Sequence, residues 1–193
     1  KMGFLEQFLL VAAAHLMGVA SPGPDFAIVV KNSVNSGRKS AIYTSLGIST
    51  GILIHVSYCI AGVGILINSS EALFNILKTA GALYLGYIGV KSIISVKKSK
   101  ESDFEQENRV KSRIEAYKTG LFVNLLNPKA TLFFLAVFTT ILSKNSVIEY
   151  KIIFGIYMAA ATMCWFSMVS FLFGLKRVRE LFIRYSDSFE KLM

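Results

Sequence analysis

Blocks of about twenty mostly apolar residues recur along this chain, each the length needed to cross a hydrocarbon core roughly 30 Å thick. They stand at about residues 4–31, 41–67, 72–96, 119–142 and 150–175. Inside a bilayer every backbone polar group must be satisfied within the protein, which leaves helices or a closed barrel. Apolar runs of this length read as helices. Only 17% of the residues are charged and the mean hydropathy is +0.54, whereas a soluble domain carries about a quarter charged residues. The expected fold is an all-α integral membrane protein, one membrane domain over 1–193, with the lipid bilayer as its first partner. The stretch "LLVAAAHLMGVAS" offers small residues like those of a signal-peptide cleavage site. Glu6 interrupts its start and the apolar run resumes beyond it, so it reads as a retained segment.

The net charge of +9 would suggest nucleic acid in a soluble protein. Here the basic residues sit mostly between apolar blocks and no aromatic-interleaved basic motif accompanies them, so no nucleic-acid partner is expected. Their distribution speaks instead to topology. Fifteen Lys and Arg fall on one side of the expected membrane, seven of them in the linker 97–118, and two, Lys144 and Lys151, on the other. The N-terminus is therefore expected outside and the linker 97–118, a solvated connection turning helical near "RIEAYK", in the cytoplasm. Cys59 and Cys164 lie in apolar segments without a CxxC spacing and read as small hydrophobic packing residues.

Two of the blocks are interrupted. The first carries "SPGPD" and the fourth "NPK", with Pro22 and Pro128 106 positions apart and the next block beginning about 20 residues further on in each case. Three crossings separate the breaks, so a second half built like the first would be inverted in the membrane. The expected arrangement is an inverted repeat of three helices each, with broken first and fourth helices. Repeat one is 1–96, the cytoplasmic linker 97–118, and repeat two 119–193. Only two blocks follow the linker, and "LKRVRELFIRYSDSFEKLM" is too charged to span. It reads as an interfacial helix leading to a sixth segment missing from this chain.

Matched interruptions in inverted halves are a pointer to a transport site. A proline within a helix removes an amide donor and clashes with the preceding turn, and the freed groups need protein, water or ligand partners. Asp25 is the only acid well inside a spanning segment, where such groups face cavities, and Lys129 is its basic counterpart. If the breaks meet, ammonium towards Asp25 and carboxylate towards Lys129 suit a small zwitterion. Two plainer readings stand beside this one: a structural kink with Asp25 as N-cap, and a static Asp25–Lys129 pair. Ser21, Pro22, Gly23 and Pro24, with Asn124, Asn127 and Pro128, complete the candidate substrate- and proton-binding set. Asn32 is a further candidate. His55 is another, either as a proton relay or as a hydrogen-bonded packing residue. No metal cluster, cofactor motif or catalytic nucleophile is apparent. Gly47 and Gly51 form a GxxxG spacing that permits close helix contact within or between protomers, so a homo-oligomer stays open.

"GVASPGPDFAIVVKNSVNSGRKSA" (18–41), "LKTAGALYLGYIGVKSI" (77–93) and "FVNLLNPKATLFFLAVF" (122–138) together resemble the signatures of the LysE/RhtB family of amino-acid exporters, of the homoserine, threonine and lysine efflux type. The resemblance runs the length of the chain. It implies a six-helix carrier of the bacterial inner (cell) membrane that exports amino acids or derivatives, driven by the proton gradient. It also marks Ser21 to Asp25, Asn127 to Lys129, and Asn32, Gly37 and Arg38 as signature positions. The alternatives are a transmembrane thiol-electron carrier, and an intramembrane enzyme or non-transport scaffold. A reporter inserted within 97–118 is expected to be protected from membrane-impermeant reagents in intact cells, and labelling there would reverse the topology.

Overall fold

The computed structural model describes residues 3–94, 112–142, 147–175 and Val178. Among them the secondary structure is entirely helical: α1 (Phe4–Ala20), α2 (Pro24–Asn35), α3 (Gly37–Ser69), α4 (Glu71–Ile94), α5 (Arg113–Leu125), α6 (Pro128–Thr140) and α7 (Ile148–Phe173). Most of the expected linker, up to Lys111, lies outside the described residues, as does nearly all of the tail expected to lie along the interface.

The helix ends follow from local chemistry. Ser112 opens α5 as a capping box, its hydroxyl accepting from the Glu115 amide while the Glu115 carboxylate accepts from the Ser112 amide. The fourth segment therefore begins at Arg113, inside the expected linker. The loop expected between the first two segments is a single-residue turn, because α2 runs on to Asn35. Gly37 then takes φ +81, a conformation glycine adopts without a Cβ penalty.

α1 and α2 meet at 53° and α5 and α6 at 58°. Each pair is long and apolar enough to serve as one bent span, and the Gly37–Gly62 part of α3 and all of α7 qualify as straight ones. α4 is helical where the third span is expected. Polarity is reversed relative to a soluble protein. Leu5, Leu83 and Leu126 are more than half exposed, while Asn32, Thr44, Ser45, His55 and Asn124 are buried. Hydroxyls on these helices commonly donate to the carbonyl four residues back, as Ser45 does to Ala41 and Ser170 to Phe166. This is a multi-pass membrane protein.

The apolar core has two layers. One joins Val11 of α1, Val56 of α3, Phe133 and Val137 of α6, and Phe154 and Met158 of α7. The other joins Val29 and Val34 of α2, Ile48 of α3, and Phe166 and Val169 of α7. The straight helices α3 and α7 pass through both layers, while α6 serves the first, α2 the second, and α1 the first with Val19 at its end reaching the second. The breaks lie between them.

α5 reaches α3 by backbone contact instead. A Cβ on Gly47 would strike the Tyr117 carbonyl, and one on Gly120 the Thr44 carbonyl, so the GxxxG spacing serves packing within the chain. Gly120→Ala and Gly47→Ala are expected to lower the melting temperature in detergent by the equivalent of about 1–3 kcal/mol or more. Gly62→Ala, with nothing within 4 Å of the added methyl, is expected to be neutral or mildly stabilising; equal melting of all three variants would contradict this close crossing.

Candidate functional site

An uninterrupted helix would bond the Ser21 carbonyl to the amide of residue 25 and the Asn124 carbonyl to that of residue 128. The extended turn through Gly23 prevents the first bond. Residue 128 is proline and has no amide to give. The Asn124 carbonyl takes the Asn127 amide at 3.1 Å, and each of the two carbonyls also finds a side chain from elsewhere. Lys129 Nζ donates to the Ser21 carbonyl at 2.7 Å, and His55 Nε2 donates to the Asn124 carbonyl at 3.2 Å. Because a carbonyl only accepts, Nε2 carries the proton and Nδ1 of His55 accepts from the Tyr58 hydroxyl.

The breaks also exchange side chains. Asn124, just before the second break, donates from Nδ2 to Asp25 Oδ2 at 2.9 Å. Lys129, just after it, supplies the bond to Ser21. Each break is thus braced by the other. Asp25 is not the cap of its half-helix: Gly23 occupies the N-cap position and makes no side-chain cap bond. Asn127 does cap α6, accepting from the Lys129 amide at 3.0 Å. Gly51 leaves room for this brace, since a Cβ there would run into the Asn124 side chain.

Between the breaks lies a cavity of about 50 Å³, room for a handful of waters at roughly 10–15 Å³ each or for one small solute in their place. Ser21, Gly23, Asp25, Asn124, Asn127 and Lys129 all line it. Asp25 Oδ1 and Asn124 Oδ1 are buried without a hydrogen-bond partner among the described residues. Buried polar atoms of this kind call for water or a ligand. An acid, a base, two amides and a free carboxylate oxygen can hold a small polar solute carrying both charges.

The remaining sequence candidates are placed otherwise. Pro22, Pro24 and Pro128 shape the breaks from their exposed side and do not line the cavity. Asn32 ties α2 to α3 through Thr44 Oγ1 at 2.7 Å, away from the lining. His55 stacks on Phe134 with ring centroids 5.4 Å apart and acts behind Asn124. Sequence reading missed His15, which lines the cavity from α1, is buried, and bonds Thr162 Oγ1 of α7 through Nε2 at 2.9 Å. His15, Gly18 and Val19 stand at i, i+3 and i+4, one helix face leading into the break, and that spacing is the signal that would have found it. Phe133, Phe134 and Phe166 form the apolar wall.

The family profile described as LysE type translocator matches residues 16–186. The chain belongs to the LysE type translocator family. It is 30% identical over 179 residues to the threonine efflux protein of Escherichia coli strain K12, covering 91% of this chain and 86% of that one. It is 28% identical over 198 residues to the uncharacterized membrane protein YrhP of Bacillus subtilis strain 168, covering 99% and 93% respectively. An uncharacterized membrane protein of Haemophilus influenzae is 28% identical over 177 residues, covering 89% of this chain and 83% of its own length. No solved structure matches the chain.

In this LysE-type translocator His55 supports the cavity from behind Asn124. His55→Leu takes the side-chain donor from the Asn124 carbonyl, which keeps only the Asn127 amide, and removes the Nδ1 acceptor from the Tyr58 hydroxyl, and is expected to destabilise the fold by about 1–2 kcal/mol. Thermal unfolding in detergent is the measurement, and an unchanged midpoint would remove His55 from its supporting role.

Proposed function

We propose that this protein is a secondary exporter of small amino acids or their derivatives across the bacterial inner membrane, coupled to protons. The reading rests on one observation above all: two proline breaks brace each other around a cavity that holds Asp25 and Lys129 together. The family membership and the threonine efflux relative support the direction and the substrate class.

In this reading the substrate ammonium takes Asp25, whose Oδ1 is unpartnered among the described residues. The carboxylate takes Lys129, displacing the neutral Ser21 carbonyl. A carboxylate that holds either a proton or an ammonium, but not both, makes the two cargoes compete. Competition at one group is the simplest physical basis for exchanging them across a membrane. Asn124 and Asn127 complete the polar lining, and the aromatic wall bounds the substrate's side chain.

The similar bends of 53° and 58° support reading residues 1–96 and 119–193 as inverted repeats. The bias of Lys and Arg towards 97–118 supports a cytoplasmic linker and an external N-terminus. The thiol-electron alternative would need a redox pair, yet Cys59 is buried in the first core layer and Cys164 is exposed on α7.

Inverted vesicles carrying the protein, offered neutral, basic and thiol-containing amino acids in turn, are expected to show proton-dependent flux of a small neutral member. Asp25→Asn is expected to abolish that flux, and Lys129→Met to weaken it about 30-fold or more, as loss of a buried charged hydrogen-bond partner does. Wild-type flux in Asp25→Asn would rule out its proposed part.

A further inference from the structure

The helices around the cavity divide into two groups. α4 lies mainly on α6 and also on α1, while α3 lies mainly on α5 and α7 and also on α2. Most polar ties follow the same division, with Tyr58 of α3 against Thr131 of α6 crossing it outside the cavity lining. Lys129 to Ser21, and the Tyr84 hydroxyl to the Lys129 carbonyl at 3.3 Å, join α6 with the end of α1 and with α4. Asn124 to Asp25, His55 to Asn124 and Asn32 to Thr44 join α5, α2 and α3. Both proline breaks fall on the boundary, leaving α1 in one group and α2 in the other, and likewise α6 and α5.

The hydrogen bond between His15 and Thr162 crosses that boundary, from α1 to α7, at the cavity wall. We propose that the His15–Thr162 bond is a latch: while it is made, α1, α4 and α6 stay closed on α2, α3, α5 and α7, and when it parts the two groups separate about Ser21–Gly23 and Leu126–Asn127.

The apolar contacts that also cross the boundary, such as Phe134 against His55 or Val11 in the first core layer, are non-directional and can slide without orphaning a polar atom. A hydrogen bond between two buried groups is either made or broken. His15 Nδ1 already lacks a partner among the described residues. If Nε2 also lost Thr162, the whole ring would be unsatisfied unless water or a polar solute entered. Opening is thereby tied to filling of the cavity. His15 and Thr162 are positioning residues in this account, controlling when the Asp25–Lys129 site is reached.

The inference rests on the transport reading for its purpose, and its test does not use transport. The full chain carrying Cys59→Ala and Cys164→Ala has a single thiol introduced by Val19→Cys, at the cavity wall, and is exposed in vesicles to a water-soluble maleimide. Adding Thr162→Val is expected to speed alkylation at position 19 by about 2- to 10-fold, the effect of losing one net hydrogen bond on an opening equilibrium. His15→Phe should do the same by removing the other partner, and Thr162→Ser, which keeps the hydroxyl, should leave the rate as in the parent. With the thiol placed instead by Val34→Cys, in the second core layer, Thr162→Val should have no effect.

An unchanged rate at position 19 in both Thr162→Val and His15→Phe would overturn the latch. So would an equal acceleration at position 34, or in Thr162→Ser, because loosened packing and not a lost bond would then be the cause. A protein that shows no amino-acid flux in the vesicle assay would count against the transport reading and leave this result standing.

Discussion

The structure turns on a reciprocal brace between two interrupted helices. A proline break in a bilayer frees backbone groups that water cannot reach, and an orphaned carbonyl there costs several kcal/mol. This chain meets much of that demand across space. Lys129 beside the second break satisfies Ser21 at the first, and Asn124 before the second break holds Asp25 beyond the first. Neither break is complete alone. The charged groups that a transport site requires are therefore the same groups that hold its backbone together.

A site of that kind needs a frame that does not yield when its own bonds rearrange. α3 and α7 supply it by passing through both apolar layers. α5 is fixed to α3 by glycines that bring backbone against backbone, where a single methyl would collide. Lipid gives helices little hydrophobic reason to associate, so small residues and close approach carry that work. Asn124 lies on this rigid seam, its side chain fitted against Gly51. Its grip on Asp25 is consequently set by the scaffold, while α6, which enters one core layer, and α1, which reaches the second only through Val19 at its end, are less firmly tied to it.

Much of this was legible in the sequence, for reasons that differ by residue. Pro22 and Pro128 stand out because nothing else in an apolar run removes an amide donor, and Asp25 and Lys129 because charge is so unfavourable at that depth. The partners were not legible. Helical periodicity tells which face Asn124 occupies but not that Asp25, 99 residues away, meets it. Local spacing likewise offers no reason to join His15 to Thr162, 147 residues apart. His55 drew notice as a titratable group, yet its position is explained by the amide that Pro128 lacks. The turn at Ser36 was hidden by the basic residues around it, which suggest a loop although α2 continues to Asn35 and α3 starts at Gly37.

The partners of the two charges bear directly on how such a site would work. Lys129 rests on a backbone carbonyl and Asp25 on an amide, neutral dipoles that a charged substrate can replace. The Lys129 charge also acts on Asp25, and a zwitterion that takes both groups replaces that attraction with one of its own at each end. In place of the Ser21 carbonyl, an arriving carboxylate offers Lys129 a charge for a dipole. An arriving ammonium finds an unpartnered oxygen at Asp25. Displacing the Lys129 ammonium from Ser21 would, however, strip the first break of a bond that steadies it. On the proposed reading, binding thus loosens one of the braces that hold the closed form, and substrate entry and helix movement become a single event.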